Sequence, residues 1–135
     1  MIVLDEQLLG RDLDTQIAQW YRGTVCFITD LRPNTVIKDD AIPLLLRREN
    51  QPTFITINEQ DFWRQVAIDR RFCIVCCALP DSQAHEIPAR LRTLLKHPLF
   101  NTKQKRMGKV IRLTPQHISY YTADDKKIKA VEVTT

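Results

Sequence analysis

Oxygen-bearing side chains at three places in this chain have the types and spacing to do chemistry together. Asp5 and Glu6 follow the apolar run Ile2-Val3-Leu4, Asp39 and Asp40 open the apolar run 41–46, and Asn58 and Asp61 follow the β-branched, aromatic run 53–57. Carboxylates converging on Mg²⁺ or Mn²⁺ activate a water and neutralise charge building on a phosphate, the requirement for metal-dependent phosphodiester hydrolysis. Each residue also has an ordinary structural use. Asp39 or Asp40 can cap a helix, worth about 1 kcal/mol, Asp61 can sit at a helix N-terminus, and Asn58 is a good strand-ending turn residue. Asp5 is harder to place structurally, because a carboxylate ending an apolar strand and followed by a second acid has little to hold.

The elements around these residues must bring them to one place. Residues 7–21 carry Leu9, Leu13, Ile17 and Trp20 or Tyr21 at helical spacing, and Arg22-Gly23 stops that helix. Residues 24–29 read as a second buried strand ending at Asp30. The central helix starts at Asp39-Asp40 with Pro43 in its first turn, where a missing N–H costs least. Gln51-Pro52 breaks it before the strand 53–57, and residues 61–68, 72–79 and 87–97 read as helix, strand and helix. This alternation predicts a parallel sheet between helices, with Asp5, Asp40 and Asp61 meeting at one sheet edge. Residues 101–109 read as a basic, turn-prone connection, and residues 110–114, 117–122 and 128–133 as short strands forming an antiparallel addition or a homodimer edge.

The central stretch carries a family resemblance. A helix opening Asp40-Ala41, followed sixteen residues on by Thr56-Ile57-Asn58-Glu59-Gln60-Asp61-Phe62, resembles the second half of a PIN domain, and Ile2-Val3-Leu4-Asp5-Glu6 is similar to its first strand. The Asp-Glu pair is closest to the short PIN-like subfamily beginning LDEN or LDEQ. The resemblance covers about residues 1–78. It implies a three-layer α/β/α fold with a mainly parallel sheet, here with a core over 1–100 and a C-terminal β extension over 101–135 in one domain. It also implies a divalent-metal-dependent ribonuclease of the kind used as the toxin of a toxin–antitoxin pair, with RNA as substrate and an antitoxin protein as partner. By the same resemblance Asp5, Asp40 and Asp61 are catalytic, those three and Glu6 bind Mg²⁺ or Mn²⁺, and Asn58, Asp39 and Thr56 support the site. Larger PIN domains place a Glu on an extra helix, for which the 34 residues between Asp5 and Asp40 leave no room. Glu6 is the substitute; without it the domain is an inactive scaffold that binds nucleic acid or a partner protein.

Charge and composition narrow the alternatives. Residues 1–63 hold 6 Lys/Arg against 10 Asp/Glu, whereas residues 64–135 hold 14 against 6, so an acidic half joins a basic one. That split suits a carboxylate cluster facing a surface that attracts phosphates, with Lys103, Lys105, Arg106 and Lys109 as the nucleic-acid-binding candidates. Cys73, Cys76 and Cys77 lie inside an unbroken apolar run and read as core rather than zinc ligands. His85, His97 and His117 are scattered. A chain with only 3 Gly has no P-loop, dinucleotide fingerprint or nucleophile elbow. The acidic pair after a first strand also resembles a phosphoacceptor receiver, but the third strand ends at Asn58 rather than Asp. No run of about 18 apolar residues could span a bilayer, and no charged-then-apolar leader opens the chain. A soluble cytoplasmic protein without a membrane partner is the expectation.

Overall fold

The computed structural model describes residues 1–131. Its sheet is built from strands whose apolar residues alternate between two hydrophobic clusters. In chain order the elements are β1 (Ile2–Leu4), α1 (Leu13–Ala18), β2 (Val25–Phe27), α2 (Ile28–Leu31), α3 (Ile42–Leu46), β3 (Thr53–Thr56), α4 (Glu59–Phe62), β4 (Cys73–Cys77), α5 (Ile87–Lys96), α6 (Lys103–Arg106), β5 (Lys109–Leu113), β6 (Ile118–Thr122) and β7 (Lys129–Val131). The seven strands form one mixed sheet in the order β2-β1-β3-β4-β5-β6-β7. The first five run parallel, and β6 and β7 are antiparallel. The protein is therefore α/β with a mostly parallel sheet. Among the described residues no helix is long and apolar enough to cross a membrane.

Strand periodicity sorts the core. Ile2 and Leu4, Ile55, Cys73, Val75 and Cys77 pack with Leu13 and Ile17 of α1 and with Ile87, Leu91 and Leu94 of α5. The intervening Val3, Phe54, Ile74 and Cys76 pack instead with Ile28 of α2, Ile42, Leu45 and Leu46 of α3 and Phe62 of α4. Successive strand side chains point to opposite faces, so β4 is apolar throughout because both of its faces are covered. The three β4 cysteines are buried and free, and burial raises the Cys73 and Cys77 thiols to about 12. They are core residues.

Several boundaries differ from the sequence expectation, each for a local reason. The helix expected over 7–21 is broken: Glu6–Leu8 is a single 3-10 turn, Gly10 and Asp12 take left-handed backbone at φ 77° and 62°, and only Leu13–Ala18 is α-helical. Leu9 is consequently 46% exposed and Leu8 takes the buried position. β2 is shorter than expected because Asp30 Oδ2 accepts from the Phe27 N–H at 2.8 Å and starts α2. The C-terminal addition is also smaller than expected. β5 pairs parallel with β4, Ile74 opposite Val110 and Cys77 opposite Leu113, so it is the fifth strand of the main sheet and only β6 and β7 are added. The end of the last expected strand, at 132–133, lies outside the described residues.

Gly108 shows how the tail is locked on. Its N–H donates to Phe72 O at 2.8 Å, its carbonyl accepts from Ala123 N–H at 2.7 Å, and its φ is 77°. A Cβ there would meet Arg70 Cα at an ordinary 3.5 Å, so the barrier to substitution is conformational rather than steric. Gly108→Ala should therefore cost about 1–2 kcal/mol, read as a fall in Tm of about 3–8 °C with the circular dichroism spectrum unchanged. An unchanged Tm would show that the left-handed turn is not required.

Candidate functional site

The parallel order β2-β1-β3 makes the chain turn to opposite sides of β1, and the loops after β1 and β3 diverge at that point. Open α/β sheets place ligands in such a crevice, outside the carboxyl ends of the strands. Asp5 is the first residue beyond β1, and its N–H donates to Ile55 O at 2.9 Å, which continues the parallel ladder by one step. Strand alternation points Asp5 and Thr56 to the face shared by Val3 and Phe54, the face covered by α3 and α4.

Asp5 is 4% exposed, and both of its carboxylate oxygens are engaged. Oδ1 accepts from the Glu6 N–H at 2.8 Å, and Oδ2 accepts from the Thr56 hydroxyl at 2.6 Å. Burial pushes its pKa up; the hydrogen bonds from Thr56 and Glu6 oppose this, and the Glu6 charge adds to it. No Lys or Arg pairs with it among the described residues.

Hydrogen bonds then run from Asp5 toward α4. Thr56 Oγ1 accepts from the Asn58 N–H at 2.9 Å. Asn58 caps α4, its Oδ1 accepting from the Asp61 N–H at 3.3 Å while its Nδ2 donates to Asp61 Oδ2 at 2.6 Å. Asp61 is thus aimed by a side chain that is itself held by the strand end. Across the crevice stands Asp39, first residue of the 3-10 turn Asp39–Ala41 that leads into α3. Its carboxyl is raised to about 6, by partial burial, then by hydrogen bonding with Asp61, then by the charges of Asp61, Asp5 and Glu6. Neighbouring carboxyls disfavour each other's ionised form, so Asp39 keeps its proton up to about pH 6. They border an open cleft of about 520 Å³ that Asp40, Gln60 and Gln65 also line, over Pro43 and Phe62.

The structure thus brings Asp5, Thr56, Asn58, Asp61 and Asp39 together. Of the two neighbouring acids, Asp39 is the one whose carboxyl is perturbed by Asp61. Asp40 lines the same cleft and, like Asp39 and Asp61, is exposed, but it makes no side-chain hydrogen bond or ion pair among the described residues. The 3-10 turn decides this: Pro43 sits early in α3, and the preceding turn carries Asp39 rather than Asp40 across to α4. Glu6 is exposed on the turn after β1, where its charge reaches both Asp5 and Asp39. Among the described residues no three His, Cys, Asp or Glu side chains converge closely enough to hold a metal ion.

The basic run does not face this edge. Lys103–Arg106 and Lys109 lie where β3, β4 and β5 begin, at the opposite end of the sheet. Arg106 is 4% exposed and donates from Nε to Thr53 Oγ1 at 3.0 Å and from Nη1 to Phe100 O at 2.9 Å. Lys105 Nζ donates to Pro98 O and Lys109 Nζ to Leu99 O, and Lys109 also lies over the Phe100 and Tyr120 rings. Arg106 is therefore buried and bonded to the fold rather than exposed, and Lys105 and Lys109 are partly committed to the fold.

Comparison with protein-family models, curated proteins and solved structures finds no match to this chain.

The contact between Asp39 and Asp61 has a measurable signature. A carboxyl whose folded pKa lies above its unfolded value favours the folded state most fully below the unfolded value near 3.8, and that contribution is lost as pH rises through about 6. Asp39→Asn should therefore raise the Tm of metal-free protein above pH 6. Solvent screening keeps the gain to about 1–3 °C, and it should vanish near pH 4. Asp40→Asn should move Tm by less than about 1 °C at either pH. Thermal melts of both variants at pH 7 and pH 4 check this, and a lower Tm for Asp39→Asn at pH 7 would contradict the contact.

Proposed function

We propose that the carboxylate edge binds Mg²⁺ or Mn²⁺ and hydrolyses phosphodiester bonds of RNA, in a three-layer α/β/α domain of PIN-like type. The observation that carries this reading is that Asp39 and Asp61 line one cleft, with a third carboxylate, Asp5, linked to it through Thr56 and Asn58, and no cationic side chain bonded to any of the three among the described residues. Gathering like charges without a counter-charge is unfavourable in the metal-free protein, and a hard cation supplies the missing charge. The donors suit it, since they are all oxygens. Mg²⁺ keeps several waters and often takes only one or two carboxylates together with substrate phosphates, so a pair of carboxylates with a third nearby meets its needs without three converging ligands.

Asp39 and Asp61 are the direct ligands in this reading, with Asp5 and Glu6 close enough to add negative potential. When bound, the cation supplies a more acidic water and neutralises charge building on the phosphate. Asn58 Nδ2 orients Asp61, and Thr56 fixes Asp5 while its own oxygen accepts from the Asn58 N–H. This chain of bonds ties the two strand ends to the cleft wall and limits reorganisation during reaction. Asp39 must lose its proton before it can ligate, so cation affinity falls as pH drops below about 6.

A second reading has one observation in its favour. Both oxygens of Asp5 already accept hydrogen bonds within the protein, and among the described residues the acids do not converge as a threesome. A non-catalytic PIN-like scaffold, binding nucleic acid or a partner such as an antitoxin protein, would look the same. Metal-free protein tested against single-stranded RNA with added Mn²⁺ or Mg²⁺ separates the two. The expected results are metal-dependent cleavage, a loss of at least roughly 100-fold in Asp39→Asn and Asp61→Asn, and a smaller loss of about 10-fold in Asn58→Ala. Mn²⁺ should also raise Tm at pH 7.5 by more than at pH 5.5. A Tm shift without cleavage favours the scaffold, and a Tm indifferent to Mn²⁺ overturns the metal reading.

A further inference from the structure

At the other end of the sheet, on the opposite face, the chain builds a cleft of about 430 Å³ of reversed chemistry. Trp20 and Tyr21, beyond the end of α1, form one wall, their rings edge to face at 6.3 Å. Arg92 and Lys96 from α5, Lys103 from α6 and Arg106 supply four cations, and no Asp or Glu lines the space. Six cations elsewhere meet carboxylates: Arg11, Arg47, Arg70, Arg90, Arg112 and Lys129. Among the described residues, none of the four cations of the cleft does.

Arg106 makes this more than a solvated basic patch. Its guanidinium is buried and held by two neutral oxygens, Thr53 Oγ1 and Phe100 O, while Nη2 makes no hydrogen bond among the described residues. Neutral acceptors satisfy N–H groups but leave a buried charge uncompensated. A guanidinium already fixed at two nitrogens, with a third free toward a cleft, is preorganised for an oxyanion. The three exposed cations concentrate positive potential at the same mouth. The aromatic wall adds a second recognition element beside the cations, with the exposed Arg92 guanidinium 6.0 Å from the Trp20 ring centre. A half-buried Trp beside cations is the combination that grips a phosphate attached to a planar base. The volume falls in the range of small-ligand sites.

We propose that this cleft binds a nucleotide phosphate, with Arg106, Arg92, Lys96 and Lys103 around the phosphate and the base against Trp20, the nucleotide being either free or the phosphorylated end of a single strand. The site is independent of the carboxylate edge and does not rest on the nuclease reading. The sequence pointed only to the basic run; the partners of Lys103 and Arg106 come from residues 20, 92 and 96, which are close in space alone.

The test uses ¹⁵N-labelled full-length protein with chelator present, followed through the two Trp indole N–H signals. The probes are adenosine 5′-monophosphate, adenosine, inorganic phosphate, and a short single-stranded RNA with or without a 5′-phosphate. The nucleotide should shift the Trp20 signal and leave Trp63 in place. Adenosine and inorganic phosphate should each bind at least about 10-fold more weakly, since each lacks one of the two recognised parts. The double variant Arg92→Gln/Lys96→Gln, whose side chains are exposed and whose fold should survive, should weaken nucleotide binding at least about 10-fold and flatten its salt dependence. Arg106 is left intact because its bonds to Thr53 and Phe100 hold the fold. Tighter binding of the 5′-phosphorylated RNA than of the mononucleotide would identify a strand end as the source, and equal or weaker binding a free nucleotide. Asp61→Asn should leave all these affinities unchanged, which separates this site from the carboxylate edge. The proposal is overturned if Trp20 does not respond, if adenosine binds as well as its phosphate, or if the double variant binds like the parent.

Discussion

The hydrogen bond from the Thr56 hydroxyl to Asp5 is the interaction on which the arrangement of this molecule turns. It joins the ends of two adjacent parallel strands at the place where the chain reverses its direction of winding. A buried carboxylate there requires donors, and it obtains one from the next backbone amide and one from across the sheet. Once Thr56 is committed to Asp5, its oxygen is placed to accept from Asn58, and Asn58 in turn caps α4 and holds Asp61. The orientation of the cleft wall is therefore inherited from the strand register. Replacing Thr56 by Val would remove the hydroxyl while keeping the shape, and so would leave Asp5 underbonded and Asn58 free to turn.

Charge is distributed along the sheet axis rather than face to face. Carboxylates collect beyond the C-terminal ends of β1 and β3 on the face of α3 and α4, whereas four cations without carboxylate partners among the described residues line one cleft at the N-terminal end on the face of α1 and α5. Thr53 and Thr56 mark the two poles on one strand, separated by three residues or about 10 Å of extended chain. Thr53 bonds Arg106 on one face and Thr56 bonds Asp5 on the other. Each pole gathers like charges that the interior could have avoided with paired or apolar side chains, and a ligand of opposite charge would relieve either one. Of the basic C-terminal half, Arg112 reaches the acidic half through Glu59, and no Lys or Arg pairs with Asp5, Asp39 or Asp61 among the described residues.

Much of this was legible in the sequence, for identifiable reasons. An acid directly after Ile-Val-Leu has no routine structural role, which singled out Asp5, and the unbroken apolar run around Cys73, Cys76 and Cys77 could only be a strand covered on both faces. The break after Leu8 was not legible, because Leu9, Leu13 and Ile17 keep helical spacing across a segment where Gly10 and Asp12 adopt left-handed backbone. β5 was read as part of an antiparallel addition because it follows the basic, turn-prone connection and precedes two more short strands; its Arg112, which interrupts the buried pattern, is accommodated by an ion pair with Glu59 at 2.5 Å. The choice of Asp39 over Asp40 depends on one turn of 3-10 geometry. The burial of Arg106 depends on Thr53, which is 53 residues away in sequence.

If the carboxylate edge holds a divalent cation, as proposed, Mn²⁺ will localise there, and paramagnetic mapping reads that location. Trace Mn²⁺ added to ¹⁵N-labelled, metal-free protein at pH 7.5 should broaden the amide signals of Asp5, Glu6, Asp39 and Asn58 to Asp61 first and leave the α6 signals sharp. Broadening spread over exposed acids such as Asp12, Asp81 and Asp124 in proportion to their accessibility, with no preference for the crevice between β1 and β3, would contradict it.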